Sequence, residues 1–248
     1  MCNLYSIGEN RVEIAFRAKA ESDFNNNQPP MAGVYPDYAA PVVFRDASGQ
    51  RVMKDMRWGM PTPRQYLDEA AQNRADKLIA KGKPVDLAEL FRMEPDKGVT
   101  NVRHAEIAHW QQWLAPSNRC LVPMTSFSEP DQVGGSLKPI WFALEEDRPL
   151  AFFAGVWTPW ACVRRIKTGW EECDVFGFLT TYATEPVKTY HNKAQPVILT
   201  EEAQWDLWLS DAPWGEVKQL QRPLPDAALK VVARDLREDL AAVRQPSL

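Results

Sequence analysis

Residues 139–157 read PIWFALEEDRPLAFFAGVW, in which two apolar runs flank a short charged stretch. The aromatic and β-branched residues of 139–144 and of 150–157 are typical of buried strands. The intervening EEDR stretch is typical of a turn between them. This part of the sequence therefore predicts two neighbouring strands joined as a hairpin, and the core of the fold is expected around them.

Further strand-like runs lie on both sides of this stretch. On its C-terminal side, 175–181 (VFGFLTT) and 196–199 (PVIL) have the length and composition of buried strands. On its N-terminal side, 40–53 predicts a strand pair that turns at Ala47-Ser48-Gly49. Strands therefore dominate the predicted core.

Helical patterns lie between and after these strands. Apolar residues at helical spacing predict a helix over 63–80 and a shorter one over 86–93. A third is predicted after Thr200, which can cap it, with Trp205, Trp208 and Leu209 on one face. Because the helices do not alternate regularly with strands, the pattern predicts an α+β fold. Residues 25–30 (NNNQPP) are expected to form an exposed loop, and the last few residues to fray.

The overall composition limits the class of protein. The chain has 248 residues, of which 45% are hydrophobic and 25% charged, which is enough for one substantial core. No apolar run approaches the ~20 residues that span a bilayer, and the start of the chain does not resemble a secretory signal. We therefore expect an intracellular protein without membrane contact. A net charge of −4 argues against coating nucleic acid by charge alone, but it leaves room for a local basic groove.

Cysteine and histidine usage argues against a metal site. The four cysteines form no CxxC pair and are expected to be thiols. His104 and His109 are five residues apart, which is one more than the spacing of a helical zinc-binding pair. We expect neither a metal nor another cofactor.

Cys2 is the residue with the most distinctive chemical potential. Removal of Met1 would leave an amine and a thiol on adjacent carbons. The reference pKa is about 7.7–8.0 for such an amine and about 8.5 for the thiol, so both are expected to be partly nucleophilic near neutrality. An aldehyde can form an imine with this amine, and the thiol can then close a thiazolidine ring. Position 2 alone favours an accidental cysteine at a frayed terminus.

Other polar residues could support this chemistry. Glu129 follows an apolar run, and burial there would raise its pKa into the range of a general acid or base. His191 precedes a strand-like run and could transfer protons near neutral pH. Asn101 and Arg103 could bind a polar or anionic ligand. Considered singly, each is also compatible with a structural or surface role.

Taken together, these residues belong to an ordered set of motifs that spans nearly the whole chain. The motifs are MCNLYS at residue 1, YPDYAAPVV at 35, RWGMPTP at 57, TNVRHAE at 100, RCLVPMTSFSEP at 119, AGVW at 154 and LTTYATEPVKTYHNKAQPVIL at 179. With these motifs in this order, the sequence resembles the SOS response-associated peptidase (SRAP) family, also described as abasic-site processing proteins.

The resemblance implies covalent capture of abasic sites in single-stranded DNA. Cys2 matches the nucleophile that forms a thiazolidine with the sugar aldehyde, after peptidase-like, autoproteolytic release of Met1. Asn101 would position the sugar or the adduct, and Glu129 would handle protons around the amine. His191 would assist opening of the sugar ring and reversal of the adduct, which is a lyase-type activity. The implied protein is monomeric, cytoplasmic and associated with the nucleoid.

The resemblance also implies a fold and a set of DNA contacts. The expected core is a mixed, mainly antiparallel, barrel-like sheet with flanking helices, in one domain over 1–240 with a tail over 241–248. Trp58 and Arg103 match positions expected near bases and backbone. Arg57, Lys54 and Lys193 are further phosphate candidates.

Some positions depart from the common family pattern. Lys193 stands where an Arg is usual, so it keeps the charge but not the bidentate geometry, and one extra residue precedes Pro196. Glu106 lies one place later than usual, and Ser128 and Pro130 replace aromatic residues beside Glu129. The segment 62–98 is longer than expected and is predicted to be a helical insertion.

Two other functions fit the same residues. One is an N-terminal-nucleophile hydrolase, in which the amine acts as the base for the Cys2 thiol. The other is a module that binds single-stranded DNA without covalent chemistry, in which Cys2 is inert.

Overall fold

The computed structural model describes residues 2–22 and 29–243. Part of the 25–30 loop prediction and the last five residues of the predicted tail lie outside the described residues. The strands, in chain order, are β1 (Leu4–Ile7), β2 (Glu21–Ser22), β3 (Met31–Val34), β4 (Ala39–Arg45), β5 (Arg51–Trp58), β6 (Asn101–Val102), β7 (Arg119–Met124), β8 (Ser126–Pro130), β9 (Pro139–Ala143), β10 (Ala151–Arg165), β11 (Gly169–Thr181), β12 (Gln195–Pro196), β13 (Ile198–Leu199) and β14 (Lys230–Arg234).

The α-helices are shorter elements around these strands, apart from one long helix. In chain order they are α1 (Arg11–Ala18), α2 (Arg64–Ile79), α3 (Leu87–Arg92), α4 (Ala108–Gln111), α5 (Val187–Tyr190), α6 (Glu202–Trp208) and α7 (Trp214–Val217). Two 3₁₀ turns, Pro116–Asn118 and Lys218–Leu220, complete the set. Among the described residues, none of the helices has the length and apolar character that crossing a membrane requires.

Two sheets form the core and confirm the α+β prediction. One has five strands in the order β14-β9-β8-β1-β3, and the other has nine in the order β12-β11-β10-β7-β4-β5-β2, with β13 and β6 attached to β10 and β11. Most pairings are antiparallel, and β11 also pairs in parallel with β5 and with β6. The mixed, mainly antiparallel, barrel-like core with flanking helices is therefore as expected.

The predicted hairpin between 139–144 and 150–157 is wrong, although both strands exist. β9 pairs with β8 and β14 in the first sheet, whereas β10 pairs with β7, β11 and β13 in the second. The EEDRP segment is therefore a crossing between sheets rather than a hairpin turn. The true hairpin joins β10 to β11 and turns at Gly169, whose φ of 75° suits glycine.

Other sequence predictions have mixed outcomes. The 40–53 pair is confirmed as β4 and β5, and the helices over 63–80 and 86–93 are confirmed as α2 and α3. The cap of α6 is Glu201 in a capping box with Gln204, so the prediction of Thr200 as the cap is wrong by one residue. The strand predicted over 196–199 is split, because β12 pairs with β11 while β13 pairs with β10.

Both ends of the 62–98 segment are held against the sheet. The carboxylate of Asp96 accepts hydrogen bonds from Thr62 N and Oγ1, Gly98 N and Trp160 Nε1. Met60 and Val99 form an isolated bridge beside them. These contacts fix the point at which the chain returns to β6 and to Asn101.

Candidate active site

Cys2 lies at the start of β1 and is fully buried. β1 pairs with β8 in the register Leu4 to Ser128, which brings the start of the chain beside Glu129. The Cys2 thiol donates to the carbonyl of Leu4 at 3.4 Å. Burial raises the pKa of the thiol far above its usual range, and the neighbouring Glu129 raises it further. In the chain that still carries Met1 the thiol is therefore neutral near pH 7, whereas the expected partly ionised thiol refers to the chain after Met1 is removed.

Glu129 is a buried carboxyl group within β8. Its side chain has no exposed surface because β1 and β9 flank β8 on both sides. Burial raises its pKa from 4.5 to about 7. Both protonation states are therefore populated near neutral pH, as a group that takes and returns protons requires.

His191 follows α5 and lies next to Glu129. Its Nδ1 is 3.7 Å from Oε2 of Glu129, and both side chains are fully buried. Nδ1 also lies 3.0 Å from the carbonyl of Ala194, so in the neutral ring Nδ1 carries the hydrogen and Nε2 is the acceptor. Burial lowers the pKa of His191, and the positive charges of Lys193 and Arg103 lower it further. The ring is therefore neutral at pH 7 and able to accept a proton at Nε2.

Asn101 connects the N-terminus to β11. It lies opposite Phe178 in the parallel pairing of β6 with β11. Its side-chain Nδ2 donates to the carbonyl of Cys2 at 2.8 Å and to Thr100 Oγ1 at 2.7 Å. Its buried Oδ1 has no hydrogen-bond partner within the described part of the chain. Asn101 thus holds the backbone of Cys2 and keeps one acceptor for a ligand.

Arg103 and Lys193 form a basic pair beside His191. Both are exposed, and Arg103 Nη1 donates to the backbone carbonyl of Lys193 at 2.5 Å. Neither forms an ion pair with a carboxylate among residues 2–22 and 29–243. Their position next to His191 suits contacts to an anion that approaches the buried site.

The remaining predicted DNA contacts have other partners. Trp58 is fully buried and packs against Tyr5 and Phe178 at ring-centroid distances of 5.0 and 5.3 Å, so neither face is open to a base in this conformation. Trp58 is therefore a core residue in this conformation. Arg57 is bound by Asp37 and Glu171 at 3.3 and 3.0 Å, and Lys54 is bound by Asp174.

Two buried polar residues near His191 were not predicted from the sequence. Thr180 on β11 and Gln195 on β12 have side-chain atoms, Oγ1 and Nε2, that lack partners within the described residues. Gln195 follows Ala194, the residue whose carbonyl contacts His191. For Thr180, the signal in the sequence was the polar end of the apolar run 175–181 (VFGFLTT).

A cavity of about 400 Å³ lies over β1 and β8 near the start of the chain. Its lining includes Asn3 and Leu4, which follow Cys2, and Ser128 and Pro130, which flank Glu129. Because alternate side chains of a strand point to opposite faces, Ser128 and Pro130 face away from Glu129, and this cavity does not open onto the Glu129 side chain. In the described residues, no group of three or more His, Cys, Asp or Glu side chains is arranged to hold a metal ion.

The fold and the site define an α+β protein in which Cys2 is buried with Asn101, with a glutamate whose pKa is raised and with a histidine whose pKa is lowered. The chain belongs to the SOS response associated peptidase (SRAP) family, whose model matches residues 1–236. Membership of this family supports a role related to DNA damage, and the family name indicates peptidase-like activity among its members. A search of curated proteins gave no match.

Solved structures from two bacteria share the fold. A protein from Bordetella bronchiseptica has 19% identity and a TM-score of 0.62 over 92% of this chain and 97% of its own. A protein from Bacteroides thetaiotaomicron has 20% identity and a TM-score of 0.63, covering 92% of this chain and 90% of its own. A phage-related protein from Bordetella bronchiseptica has 16% identity and a TM-score of 0.59, covering 92% of each chain. At these identities the likeness concerns the fold alone.

Proposed function

We propose that this protein captures abasic sites in single-stranded DNA by forming a thiazolidine between Cys2 and the sugar aldehyde. The observation that carries the proposal is the convergence of Cys2, Asn101, Glu129 and His191, which are far apart in the sequence. Asn101 Nδ2 contacts the Cys2 carbonyl at 2.8 Å, and His191 lies 3.7 Å from Glu129. The product would be a covalent DNA–protein linkage that shields the lesion.

The chemistry begins with hydrolysis of the Met1–Cys2 peptide bond, which frees the amine of Cys2. The amine adds to C1′ of the open-chain sugar, and loss of one water gives an imine. The thiol then adds to the imine carbon while the nitrogen gains a proton, which closes the ring. Glu129, with a pKa of about 7, can take the thiol proton and return it to nitrogen.

His191 and the basic pair would act on the sugar and its phosphates. Opening of the sugar ring breaks the C1′–O4′ bond, and the C1′ hydroxyl loses a proton while O4′ gains one. Neutral His191 can accept the first proton at Nε2 and return a proton to O4′. Arg103 and Lys193 would contact the flanking phosphates. A buried site supplies effective concentration by holding the aldehyde against the aminothiol.

The test is a denaturing gel of the purified protein with single-stranded DNA that contains one abasic site. Mass spectrometry first confirms that Met1 is absent. We expect a shifted band for the native protein and for Cys173→Ala, the matched thiol control, and none of comparable stability for Cys2→Ala. Cys2→Ser should give a weaker, more reversible adduct, because a hydroxyl closes the ring less readily. Absence of a band with processed native protein would exclude the proposal.

The same gel tests the supporting residues. Glu129→Ala should slow crosslinking by about a hundredfold or more, because general acid–base groups contribute about that much in enzymes. Asn101→Ala should also slow it, because the Cys2 carbonyl loses the donor that positions it. His191→Ala should mainly change ring opening or release. Wild-type rates of formation and reversal in all three variants would show that the pocket is wrongly assigned. A non-covalent complex without any crosslink would favour the simple DNA-binding module.

A further inference from the structure

A second cavity, of about 540 Å³, lies between the 62–98 segment and the β10–β11 hairpin. Its walls are unusually rich in aromatic rings. Phe91 lies on α3, Trp113 in the loop after α4, Trp160 on β10 and Trp170 at the start of β11. Trp113 and Trp160 are arranged edge to face at 6.3 Å, and Trp170 is 54% exposed. These rings offer both a packed wall and an open face to a planar ligand.

A buried carboxylate oxygen in the same cavity points to a hydrogen-bonding ligand. The Glu94 side chain is only 7% exposed, and Oε1 is bound by Arg74 at 3.0 Å. Its Oε2 has no hydrogen-bond partner among the described residues. Since a buried acceptor without a partner costs about 1–3 kcal/mol, a ligand that donates an N–H there would be favoured. The terminal torsion of a glutamate is soft enough to turn Oε2 into the cavity.

The charges around the cavity favour a neutral ring with an attached anion over a cation. The carboxylate of Asp96 is already satisfied by donors from Thr62, Gly98 and Trp160. Arg64 and Arg92 lie at the rim, where their ion pairs with Asp68 and Glu89 are exposed. Exposed pairs of this kind contribute about 0–1 kcal/mol, so a phosphate can replace them.

We propose that this cavity binds a nucleotide of the same single strand, with its base against the tryptophans and its phosphate at Arg64 and Arg92. The base would donate an amino N–H to Glu94. This inference rests on the proposed function for the identity of the strand, but the cavity itself requires no reaction at Cys2. It would serve as a holding point that keeps a neighbouring nucleotide fixed while the lesion occupies the buried site.

The chain connects this cavity directly with the candidate active site. From Asp96, which lines the cavity, only a few residues lead to Thr100 and Asn101. Thr100 Oγ1 donates to Asn3 Oδ1 at 3.0 Å, next to Cys2. Five residues span at most roughly 17 Å, so the two sites are within reach of a few nucleotides of extended single strand.

The experiment measures binding of undamaged single strands, which cannot crosslink, by quenching of tryptophan fluorescence. The probes are oligonucleotides of adenine, cytosine or thymine, a spacer strand without bases, and free deoxynucleotide monophosphates. We expect adenine and cytosine strands to bind about tenfold more tightly than the spacer strand, because stacking contributes ~1–3 kcal/mol per base. Thymine, which lacks an exocyclic amino group, should bind less tightly than the other two. Quenching by strands but not by free nucleotides identifies a strand nucleotide, whereas equal saturation by free nucleotides overturns it in favour of a free nucleotide.

Matched variants place the effect in the cavity. Trp170→Ala should weaken binding of the adenine strand by about tenfold, and Glu94→Gln should remove the preference for adenine over thymine. Tyr66→Ala and Glu69→Gln, on α2 but outside the cavity lining, are the controls and should bind as the native protein does. Unchanged binding in both cavity variants would overturn the proposal. That failure is distinguishable from failure of the proposed function, which is read from the covalent band alone.

Discussion

Glu129 shows at the scale of one residue how a fold changes acid–base behaviour. In the unfolded chain this carboxyl group titrates near 4.5, whereas burial in the folded protein raises its pKa to about 7. Between these values the folded state binds the proton more tightly than the unfolded state does. The stability contributed by the protonated form is therefore lost as the pH rises from about 4.5 to about 7.

The consequence is a pH-dependent effect of Glu129→Gln on stability. Relative to the native protein, the variant should gain on the order of 3 kcal/mol in free energy of unfolding between pH 4.5 and pH 8, because it has no charge to bury. Urea unfolding at both pH values measures this difference, with the same N-terminus verified in each sample. Glu106→Gln is the control, since the Glu106 side chain is 74% exposed and should show no such change. An equal difference at both pH values would contradict the raised pKa.

Reference chemistry alone could not predict the state of these groups. Glu129 as a proton-exchanging group could be inferred from a carboxylate beside an apolar run, because such a position suggests burial. The neutral thiol of Cys2 could not be inferred, because its pKa depends on burial and on Glu129 across the β1–β8 pairing. The burial of Trp58 likewise depends on which face of β5 packs against Tyr5 of β1, which a single strand does not reveal.

At the scale of elements, Asp96 fastens the 62–98 segment to the sheet. Asp96→Ala would leave the half-buried donors of Thr62, Gly98 and Trp160 without their shared acceptor. We expect a loss of about 3–4 kcal/mol in free energy of unfolding, because each unsatisfied buried donor costs about 1–3 kcal/mol and local water relieves part of the total. Chemical denaturation measures this loss.

The control for this prediction is a second aspartate in the same segment. Asp86 caps α3 by accepting from Glu89 N at the surface, so Asp86→Ala should cost only about 1 kcal/mol. Equal losses in the two variants would show that the Asp96 cluster does not fasten the segment. Limited proteolysis within 62–98 provides a second reading, since only Asp96→Ala should accelerate cleavage.

Strands were easier to predict than their partners. Composition located β9 closely and the start of β10 as well, because these depend on residues near in the sequence. It ended β10 at residue 157, whereas the strand continues to Arg165. Their assignment to different sheets depends on long-range pairing of β9 with β14 and of β10 with β11. Because β9 and β10 are close in the sequence, a hairpin was predicted. In the structure each strand instead pairs with strands from other parts of the chain.

At the scale of the whole molecule, charge is distributed unevenly around the site. The net charge is −4 and the sequence pI is about 5.5, so nonspecific attraction to DNA is not expected from the total. Arg103 and Lys193 are nevertheless exposed beside His191 without carboxylate partners in the described parts of the chain. By contrast, Arg57 and Lys54 are already bound by acidic residues of the protein. A strand that enters the site would therefore contact the first pair and not the second.

This distribution predicts the salt dependence of DNA binding. For single strands, the logarithm of the binding constant falls with the logarithm of salt concentration by about 0.7 for each phosphate neutralised. Arg103→Ala and Lys193→Ala should each flatten this slope by about 0.7, and the double variant by about 1.4. Lys54→Ala should leave the slope unchanged, because the Lys54 ammonium group is already paired with the carboxylate of Asp174. Fluorescence anisotropy with an undamaged strand at several salt concentrations gives the slopes without interference from crosslinking. If Lys54→Ala flattened the slope while Arg103→Ala did not, the strand would follow the β5 side of the molecule, and the approach to Cys2 past His191 would be excluded.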